Sequence, residues 1–256
     1  MNINMNNIKV KNMKEGGKIL GDVVSELVKI IKPGMSEIEL DKKAEELIVA
    51  KGGEPGFKLV PGYNNTLCIS TNDVVVHGIP KSRILKQGDV VGIDCGVYFG
   101  GYHTDMAQTV YLAPEGPKNA EIVRFLRAGE AAMNAGIDQA RSGNRVGHIS
   151  RAMQKVIEGN GYSVVKSLVG HGVGRQLHER PEIPGYLARK VEKTPLLKSG
   201  MTLAIEIIYN MGSADVAYTQ DDDWTIVTSD GKISGLFERS IFVRDGEPLI
   251  LTPFLT

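Results

Sequence analysis

The spacing of apolar residues along the chain predicts helices that come in two pairs. Over residues 13–31 apolar side chains recur every three or four positions, as on one face of a helix, and the pattern stops at Pro33-Gly34. A second helix is expected after Ser36, where Glu39 completes a capping box. The same spacing predicts a further pair of helices within residues 118–140 and 146–158.

Strand-like segments follow each pair of helices. Residues 67–112, and the chain from residue 164 onward, are rich in β-branched side chains and glycine, as is typical of β-strands. Both segments contain Leu-Lys-Xaa-Gly followed six residues later by a carboxylate after isoleucine, ending at Asp94 in the first and at Glu206 in the second. This repeated order indicates an internal duplication.

The duplication predicts an α+β fold with two pseudo-symmetric lobes. No segment rich in proline and serine separates the halves, so residues 1–256 are expected to form a single domain in which roughly 13–112 and 118–243 correspond. Carboxylates on equivalent strands of the two lobes would face a shared central cleft.

Composition and charge then narrow the class of protein. Lys and Arg together number 30, as do Asp and Glu, and this balance disfavours a nucleic-acid binder. Cys68 and Cys95 are too few for a disulfide framework, which favours a reducing compartment. The start of the chain does not resemble a secretory signal, and no apolar run is long enough for a membrane span. A cytoplasmic protein is expected.

Asp94 and Asp105 suggest a site for a cation. They flank a stretch that Gly100-Gly101 could turn into a hairpin. If the turn centres on Phe99-Gly100 the two aspartates are directly opposite, and if it centres on Gly100-Gly101 they are diagonal neighbours on one face. Like charges that close are destabilising unless a cation lies between them. The alternative is a pair of ordinary turn or surface aspartates.

Three later residues strengthen the metal hypothesis. His171 lies between two glycines, an unusual context for a core histidine. Glu206 lies within an apolar run, where an unpaired carboxylate would be costly, although a buried ion pair is the alternative. Glu238 could also be an exposed strand residue paired with Arg239.

Several motifs together resemble one enzyme family. They are Val76-His77-Gly78-Ile79-Pro80, Gly92-Ile93-Asp94, Thr104-Asp105, Gly170-His171-Gly172-Val173-Gly174 continuing to His178-Glu179, Ile205-Glu206 and Phe237-Glu238. In this order they resemble the type I methionine aminopeptidases of the pita-bread metallopeptidase superfamily, which also contains prolidase and aminopeptidase P. The resemblance spans about Met13 to Val243. It implies a single catalytic domain with a curved antiparallel sheet and outer helices.

The resemblance also implies an activity and a set of metal ligands. The family removes the initiator methionine from nascent chains with a small second residue, by attack of a metal-bridging hydroxide on the first peptide bond. Two divalent ions (Co, Mn, Fe, Zn or Ni) would be bound, one by Asp105, His171, Glu206 and Glu238, and the other by Asp94, Asp105 and Glu238. Glu206 would also move a proton toward the leaving amine, while His77 and His178 would contact the substrate.

The methionine pocket implied by the family is lined by Tyr63, Cys68, His77, Leu177 and Trp224, and His178 would contact the substrate beside it. The chain departs from the family pattern at four positions. Leu177 and Val60 stand where aromatic residues are common, Arg239 where a histidine is common and Ile207 where a proline is common. No departure removes a proposed ligand. His103, His148 and the Asp221-Asp222-Asp223 run are expected to be structural, the run forming a solvated turn.

Two other functions remain alternatives at this point. A superfamily relative that cleaves next to proline would share all five ligands, and a non-catalytic binding protein could keep the fold. The short chain together with Tyr63, Cys68 and Trp224 favours methionine, and the full ligand set favours catalysis. The expected partners are the N-termini of nascent polypeptides, and the protein is expected to be a monomer. Ribosome association fits this function but has no motif in the chain.

Overall fold

The computed structural model describes residues 2–113, 116 and 119–255, with the backbone alone for residues 2–7. Its helices are α1 (Asn2–Ile30), α2 (Glu37–Ala50), α3 (Ala120–Gln139) and α4 (Val146–Gly159). Its strands are β1 (Glu54–Pro55), β2 (Leu67–Thr71), β3 (Val74–Val76), β4 (Val90–Phe99), β5 (Tyr102–Tyr111), β6 (Ser163–Val164), β7 (Val169–Gly172), β8 (Glu179–Pro184), β9 (Thr202–Asn210), β10 (Val216–Tyr218), β11 (Ile226–Thr228), β12 (Ser234–Phe242) and β13 (Leu249–Ile250).

The helices agree with the sequence-based prediction. At the start of α2 the capping box is formed: the backbone N–H of Glu39 donates to Ser36 Oγ at 3.2 Å, and that of Ser36 donates to Glu39 Oε2 at 2.6 Å. Helix α1 begins well upstream of Met13, at Asn2. The predicted start of α3 at residue 118 lies outside the described residues. Among the described helices, none combines the length and apolarity that crossing a membrane requires.

The main sheet is antiparallel and joins both halves of the chain. Its strand order is β1-β4-β5-β12-β9-β7-β8, with β2, β6 and β13 paired to β4, β9 and β12 respectively. Strand β4 pairs along its length with β5, and β9 pairs along its length with β12. The two halves meet where β5 pairs with β12.

Each pair of helices packs against the strands of its own half. Leu20 and Leu40 of the first pair share a buried apolar cluster with Ile93 on β4. Phe125 on α3 packs against Tyr209 on β9 with ring centroids 4.4 Å apart. Burying each such side chain contributes about 1.5–3 kcal/mol. The sheet is therefore held firmly from the helical side, and its other face is left for a site.

Matching hydrogen bonds relate the two halves. In the first half the N–H of Gly34 donates to the carbonyl of Leu85 at 2.9 Å, and in the second half the N–H of Gly143 donates to the carbonyl of Leu197 at 3.0 Å. Each bond joins the turn between paired helices to the segment just before a central strand. The predicted α+β architecture of two pseudo-symmetric lobes is confirmed.

A small sheet covers part of the face opposite the helices. It has the order β10-β11-β3. Val75 and Ile226 from this sheet form a buried apolar cluster with Ala107, Ile208 and Leu236 of the main sheet. Strand β3 leads directly into His77, and the loop before β11 carries Trp224. The small sheet therefore forms one wall beside the central strands.

Candidate active site

Five neighbouring strands each bring one acidic or imidazole side chain to the same face of the main sheet. In sheet order these residues are Asp94 on β4, Asp105 on β5, Glu238 on β12, Glu206 on β9 and His171 on β7. Successive side chains on a strand point to opposite faces. Ile93 and Ile205 pack under the helices, so the carboxylates that follow them in the sequence point to the other face.

The register of the β4–β5 hairpin decides how the two aspartates meet. The turn centres on Gly100-Gly101, whose φ values of 57° and 88° lie in the left-handed region that glycine tolerates. Asp94 lies opposite Ala107 and Asp105 lies opposite Gly96. The aspartates are therefore diagonal neighbours on one face, which is the second of the two registers considered above.

The second half of the chain adds its residues by direct pairing. Glu206 and Glu238 are directly opposite on β9 and β12. His171 pairs with Ala204, two positions before Glu206, and so lies on the same face. Two carboxylates opposite each other are destabilising in the absence of a counter-charge. The arrangement therefore requires either protons or a cation.

Three of the side chains present ligand atoms to a common point. Nε2 of His171 lies 3.8 Å from Oδ2 of Asp105 and 3.8 Å from Oε1 of Glu238. One ligand atom from each of the three lies within 4.8 Å of the other two. Atoms bound to one small transition-metal ion at about 2 Å are at most about 4 Å apart. The observed spacing is close to that of a coordination sphere.

Burial makes the acidic residues reluctant to lose their protons in the absence of a cation. It raises the pKa of Asp105 to about 7. Burial and then the neighbouring Asp105 raise the pKa of Glu206 to about 8. The pKa values of Asp94 and Glu238 are raised well above their usual range by burial first and by the surrounding carboxylates second. These shifts express the loss of hydration first and, for Asp94, Glu206 and Glu238, the repulsion between carboxylates second, and a bound cation would oppose both.

His171 is held as a neutral imidazole. Burial, followed by the nearby His178, lowers the pKa of His171 to about 4. Its Nδ1 lies 2.9 Å from the carbonyl oxygen of Gly172, and a carbonyl only accepts, so Nδ1 carries the proton. The lone pair of Nε2 is then directed at the carboxylates. A backbone carbonyl that fixes the ring in this way is the usual support for a metal-binding imidazole.

The donor set fits a divalent metal ion. Oδ1 of Asp94 and Oε1 of Glu238 are buried without a hydrogen-bond partner among the described residues. Buried oxygens of this kind normally have a partner, and a cation supplies one. Carboxylate oxygens combined with one imidazole suit divalent transition ions.

His77 and His178 lie beside this cluster. The rings of His178 and His171 are 4.4 Å apart between centroids. His77 has a φ of 55°, and the next residue is a glycine at which a Cβ atom would lie only 2.0 Å from the carbonyl oxygen of Ile69. Burial lowers the pKa of both His77, to about 4, and His178. Both imidazoles are therefore neutral and each can donate one N–H.

An apolar cluster adjoins the acidic face. Tyr63, Cys68 and Leu177 pack together with Phe57, and Trp224 lies against them. The rings of Tyr63 and Trp224 meet edge to face at 5.1 Å, and the Tyr63 hydroxyl donates to the carbonyl of Leu67 at 2.7 Å. Burial, followed by Asp94, raises the pKa of the Cys68 thiol, so the thiol is protonated. Sequence reasoning missed Phe57, which belongs to a 3₁₀ helix of three residues, too short to show a periodic pattern.

The acidic face and the apolar cluster line one cavity of about 440 Å³. The polar residues of its lining include all of the residues singled out above for metal and substrate contact, namely His77, Asp94, Asp105, His171, His178, Glu206 and Glu238. Tyr63, Cys68, Leu177 and Trp224 form its apolar part. The cavity thus combines a floor of carboxylates and imidazoles with an apolar pocket.

The departures from the family pattern fall in different places. Leu177 and Val60 contribute to the apolar cluster of the cavity. Ile207 packs under the helices. Arg239 is buried on the face of β12 opposite Glu238, where its guanidinium donates to the carbonyl of Ala107 at 2.9 Å. Two of the four departures therefore lie outside the cavity.

The residues expected to be structural lie outside the lining of the cavity. His103 stacks near Tyr98 with ring centroids 4.8 Å apart and does not line the cavity. Nδ1 of His148 accepts from the backbone N–H of Arg145 at 3.0 Å at the start of α4. In the acidic run Asp221 and Asp223 are exposed, while Asp222 is half-buried and accepts from the backbone N–H of Trp224 at 3.0 Å.

The class of protein follows from comparison with known families. The profile of metallopeptidase family M24 matches residues 11–243. The chain therefore belongs to metallopeptidase family M24, and membership implies the use of divalent metal.

The most similar relatives narrow the branch of the family. The methionine aminopeptidase of Clostridium perfringens is 43% identical over 240 residues, which cover 94% of each chain. Methionine aminopeptidase 1 of Bacillus subtilis has the same identity and coverage. The crystal structure of the methionine aminopeptidase of Thermotoga maritima superposes with a TM-score of 0.89 at 33% identity, covering 95% of this chain and 96% of that one. The chain lies in the methionine aminopeptidase branch, so the predicted family, fold and enzyme class are confirmed.

Proposed function

We propose that this protein removes the N-terminal methionine from nascent proteins and peptides whose second residue is small. The observation that carries the proposal is the single cavity in which a carboxylate and imidazole floor adjoins the apolar cluster around Tyr63, Cys68, Leu177 and Trp224. A thioether is soft and apolar, and suits aromatic and sulfur neighbours.

We propose two divalent ions as cofactors. One would be held by Asp105, His171, Glu206 and Glu238, and the other by Asp94, Asp105 and Glu238, so that Asp105 and Glu238 are shared. Mn, Fe, Co, Ni and Zn all accept such a mixed donor set. When bound, such ions supply Lewis-acid polarisation of the scissile carbonyl and a hydroxide nucleophile at neutral pH.

The chain's own residues bind and orient the substrate. The apolar cluster would take the methionine side chain and exclude water around it. The neutral imidazole of His178 would donate a hydrogen bond to the carbonyl oxygen on which negative charge develops, and that of His77 would donate toward the scissile amide. Donors placed before the reaction stabilise the transition state without reorganisation.

Glu206 is the proposed proton carrier. Its side chain lines the cavity, and burial together with Asp105 raises its pKa to about 8. A bound ion would relieve that shift, so the proton would be carried on a Glu206 oxygen that the metal leaves free, which takes it from the nucleophile and passes it to the more basic leaving amine. We propose that Glu206 moves the proton to the departing nitrogen.

We propose that the protein acts as a monomer with one catalytic domain over residues 1–256, in which 13–112 and 118–243 are duplicated halves. Nascent polypeptide N-termini are the proposed partners, and ribosome association would follow from them. The two buried free cysteines, Cys68 and Cys95, favour action in the reducing cytoplasm.

Peptide cleavage tests the proposal. Chelator-treated protein resupplied with Mn²⁺, Fe²⁺ or Co²⁺ should release methionine from Met-Ala-Ser, act far more slowly on Met-Leu-Ser and leave Ala-Pro-Ser intact. His171→Ala should lose both metal binding and turnover, while the matched variant His148→Ala, outside the cavity, should keep both. Cleavage of Ala-Pro-Ser would indicate a proline-directed peptidase instead. No turnover by protein with metal bound would indicate a binding protein.

A further inference from the structure

The loop that joins β10 to β11 forms one edge of the cavity. It carries Trp224, whose ring touches Tyr63 across the apolar pocket. Strand β11 pairs with β3, with Ile226 opposite Val76. Trp224 and His77 therefore approach the cavity from neighbouring strands, and their relative position depends on how the two adjoining loops are joined.

One carboxylate organises the loop around Trp224. Oδ1 of Asp222 accepts from the backbone N–H of Trp224 at 3.0 Å and from that of Thr225 at 2.6 Å. Oδ2 of Asp222 accepts from the Thr225 hydroxyl at 2.9 Å. Both neighbouring aspartates, Asp221 and Asp223, are exposed. Asp222 therefore supplies these side-chain hydrogen bonds of the Trp224 turn, beside a backbone bond from the N–H of Thr219 to the carbonyl of Thr225 at 3.0 Å.

The same carboxylate is connected to the segment that follows His77. The backbone N–H of Ile79 donates to the Thr225 hydroxyl oxygen at 3.4 Å. Nζ of Lys81 lies 3.2 Å from Oδ2 of Asp222. Burial raises the pKa of Asp222, but the hydrogen bonds from Thr225 and Trp224 outweigh it and hold that pKa below its usual value. The charged carboxylate therefore links the two loops at two points.

We propose that Asp222 is a positioning residue of the methionine pocket, whose carboxylate fixes Trp224 and the His77 segment relative to each other. The inference deepens the proposed function and rests on it for the substrate. Without the carboxylate, two backbone donors and the Thr225 hydroxyl lose their acceptor and Lys81 loses its closest partner in the loop. The pocket wall then widens. The binding of the methionine side chain is weakened more than the rate of the chemical step is lowered.

The single tryptophan makes this testable, because Trp224 is the only one in the chain and its fluorescence reports on this loop alone. Asp222→Ala should make Trp224 about twofold more accessible to acrylamide quenching, since a lost cap frees the turn. It should raise KM for Met-Ala-Ser by about tenfold, with kcat changed by less than about threefold, as expected when about 1.4 kcal/mol of binding shared by ground state and transition state is lost.

Asp221→Ala is the matched control. Its carboxylate lies 3.6 Å from Lys81 Nζ, and no hydrogen bond to the turn is seen from it among the described residues. Asp221→Ala removes the same charge as Asp222→Ala but none of the hydrogen bonds of the turn. Acrylamide quenching and KM should therefore stay at wild-type values. If Asp222→Ala and Asp221→Ala are equal in both measurements, the positioning role is wrong.

Thr225→Val provides a second variant if Asp222→Ala does not fold. It keeps the side-chain shape but removes the hydroxyl between Asp222 and the N–H of Ile79. Quenching and KM should rise, and wild-type values for both would overturn the inference. The quenching experiment uses no substrate, so it tests the position of Trp224 independently. Wild-type protein that releases no methionine would contradict the proposed function alone.

Discussion

Removal of metal should make the stability of the protein fall as the pH rises from 5 to 8. Without a cation, the pKa of Asp105 is raised from 3.8 to about 7, and that of Glu206 from 4.5 to about 8. The native state then keeps protons that the unfolded chain has already released. Because the native state binds more protons, raising the pH through this interval favours unfolding. The stability is fully present below the unfolded pKa values and is lost as the pH approaches the folded ones.

The size of the effect follows from the number of retained protons. One extra proton on the native state changes the free energy of unfolding by about 1.4 kcal/mol per pH unit. Four buried carboxylates retain protons, whereas His77 and His171, whose pKa values are lowered to about 4, act in the opposite direction between pH 5 and 6.5. Counting one net proton retained by the native state, the metal-free protein should lose on the order of 3 kcal/mol between pH 5 and pH 7. For a chain of this length that corresponds to a decrease in Tm of about 6–12 °C. Metal at a hundred times its Kd should restore about 2.7 kcal/mol.

Thermal unfolding followed by circular dichroism, with chelator or with Mn²⁺, measures both quantities. Metal binds the deprotonated carboxylates, so the gain in Tm from Mn²⁺ should increase with pH. Glu238→Gln removes one of the repelling groups; it should raise the metal-free Tm at pH 7 and abolish the gain from Mn²⁺. The control Glu182→Gln changes an exposed carboxylate of the same cavity, paired with Arg180 at 2.7 Å, and should alter neither value. A metal-free Tm that rises from pH 5 to pH 7 would refute the reasoning.

Three substitutions probe single contacts around the site. His178→Ala should lower kcat by about 10²–10³ with metal content unchanged, the range for loss of one transition-state donor; an unchanged kcat would leave the ring only a structural role. Gly78→Ala should lower kcat/KM at least about tenfold, because a Cβ atom there would lie 2.0 Å from the carbonyl oxygen of Ile69 and displace the adjoining imidazole; normal kcat/KM would show that the loop adapts. Arg239→Met should lower the free energy of unfolding in urea by about 2–3 kcal/mol, since it strands the oxygen of Gln108 that accepts from Arg239 at 2.7 Å; a loss below about 1 kcal/mol would contradict this.

The sequence was informative about the site because some of its polar side chains occur where a polar residue has no ordinary structural role. Glu206 lies in an apolar run and His171 between glycines, and each could be singled out on physical grounds alone. Glu238 could not. Beside Arg239 it looked like half of an exposed ion pair, and that alternative is wrong, since both side chains are buried and point to opposite faces of β12. A strand buried on both faces gives no alternation by which to recognise this.

Other features depend on contacts that no local pattern encodes. The register of the β4–β5 hairpin could be narrowed to two choices, but only the conformations of Gly100-Gly101 decided between them. Asp222 is one of three consecutive aspartates, and the run does not reveal which of them faces the turn. Phe57 enters the pocket from a 3₁₀ helix of three residues, too short to show a periodic pattern. In each case the deciding partner is distant in the chain or depends on backbone geometry.

The pairing of β5 with β12, the seam between the two halves of the chain, divides the site between those halves. Asp94 and Asp105 come from the first half of the chain, while His171, Glu206 and Glu238 come from the second. The Ser240 hydroxyl joins the two strands at the level of the site. It accepts from the N–H of Asp105 and donates to the carbonyl of Asp105, each at 2.9 Å. Neither half alone contains all of the proposed metal ligands. A shared cation would therefore stabilise the contact between the two halves. If the halves are expressed separately, they should bind metal only when they reassemble by pairing β5 with β12.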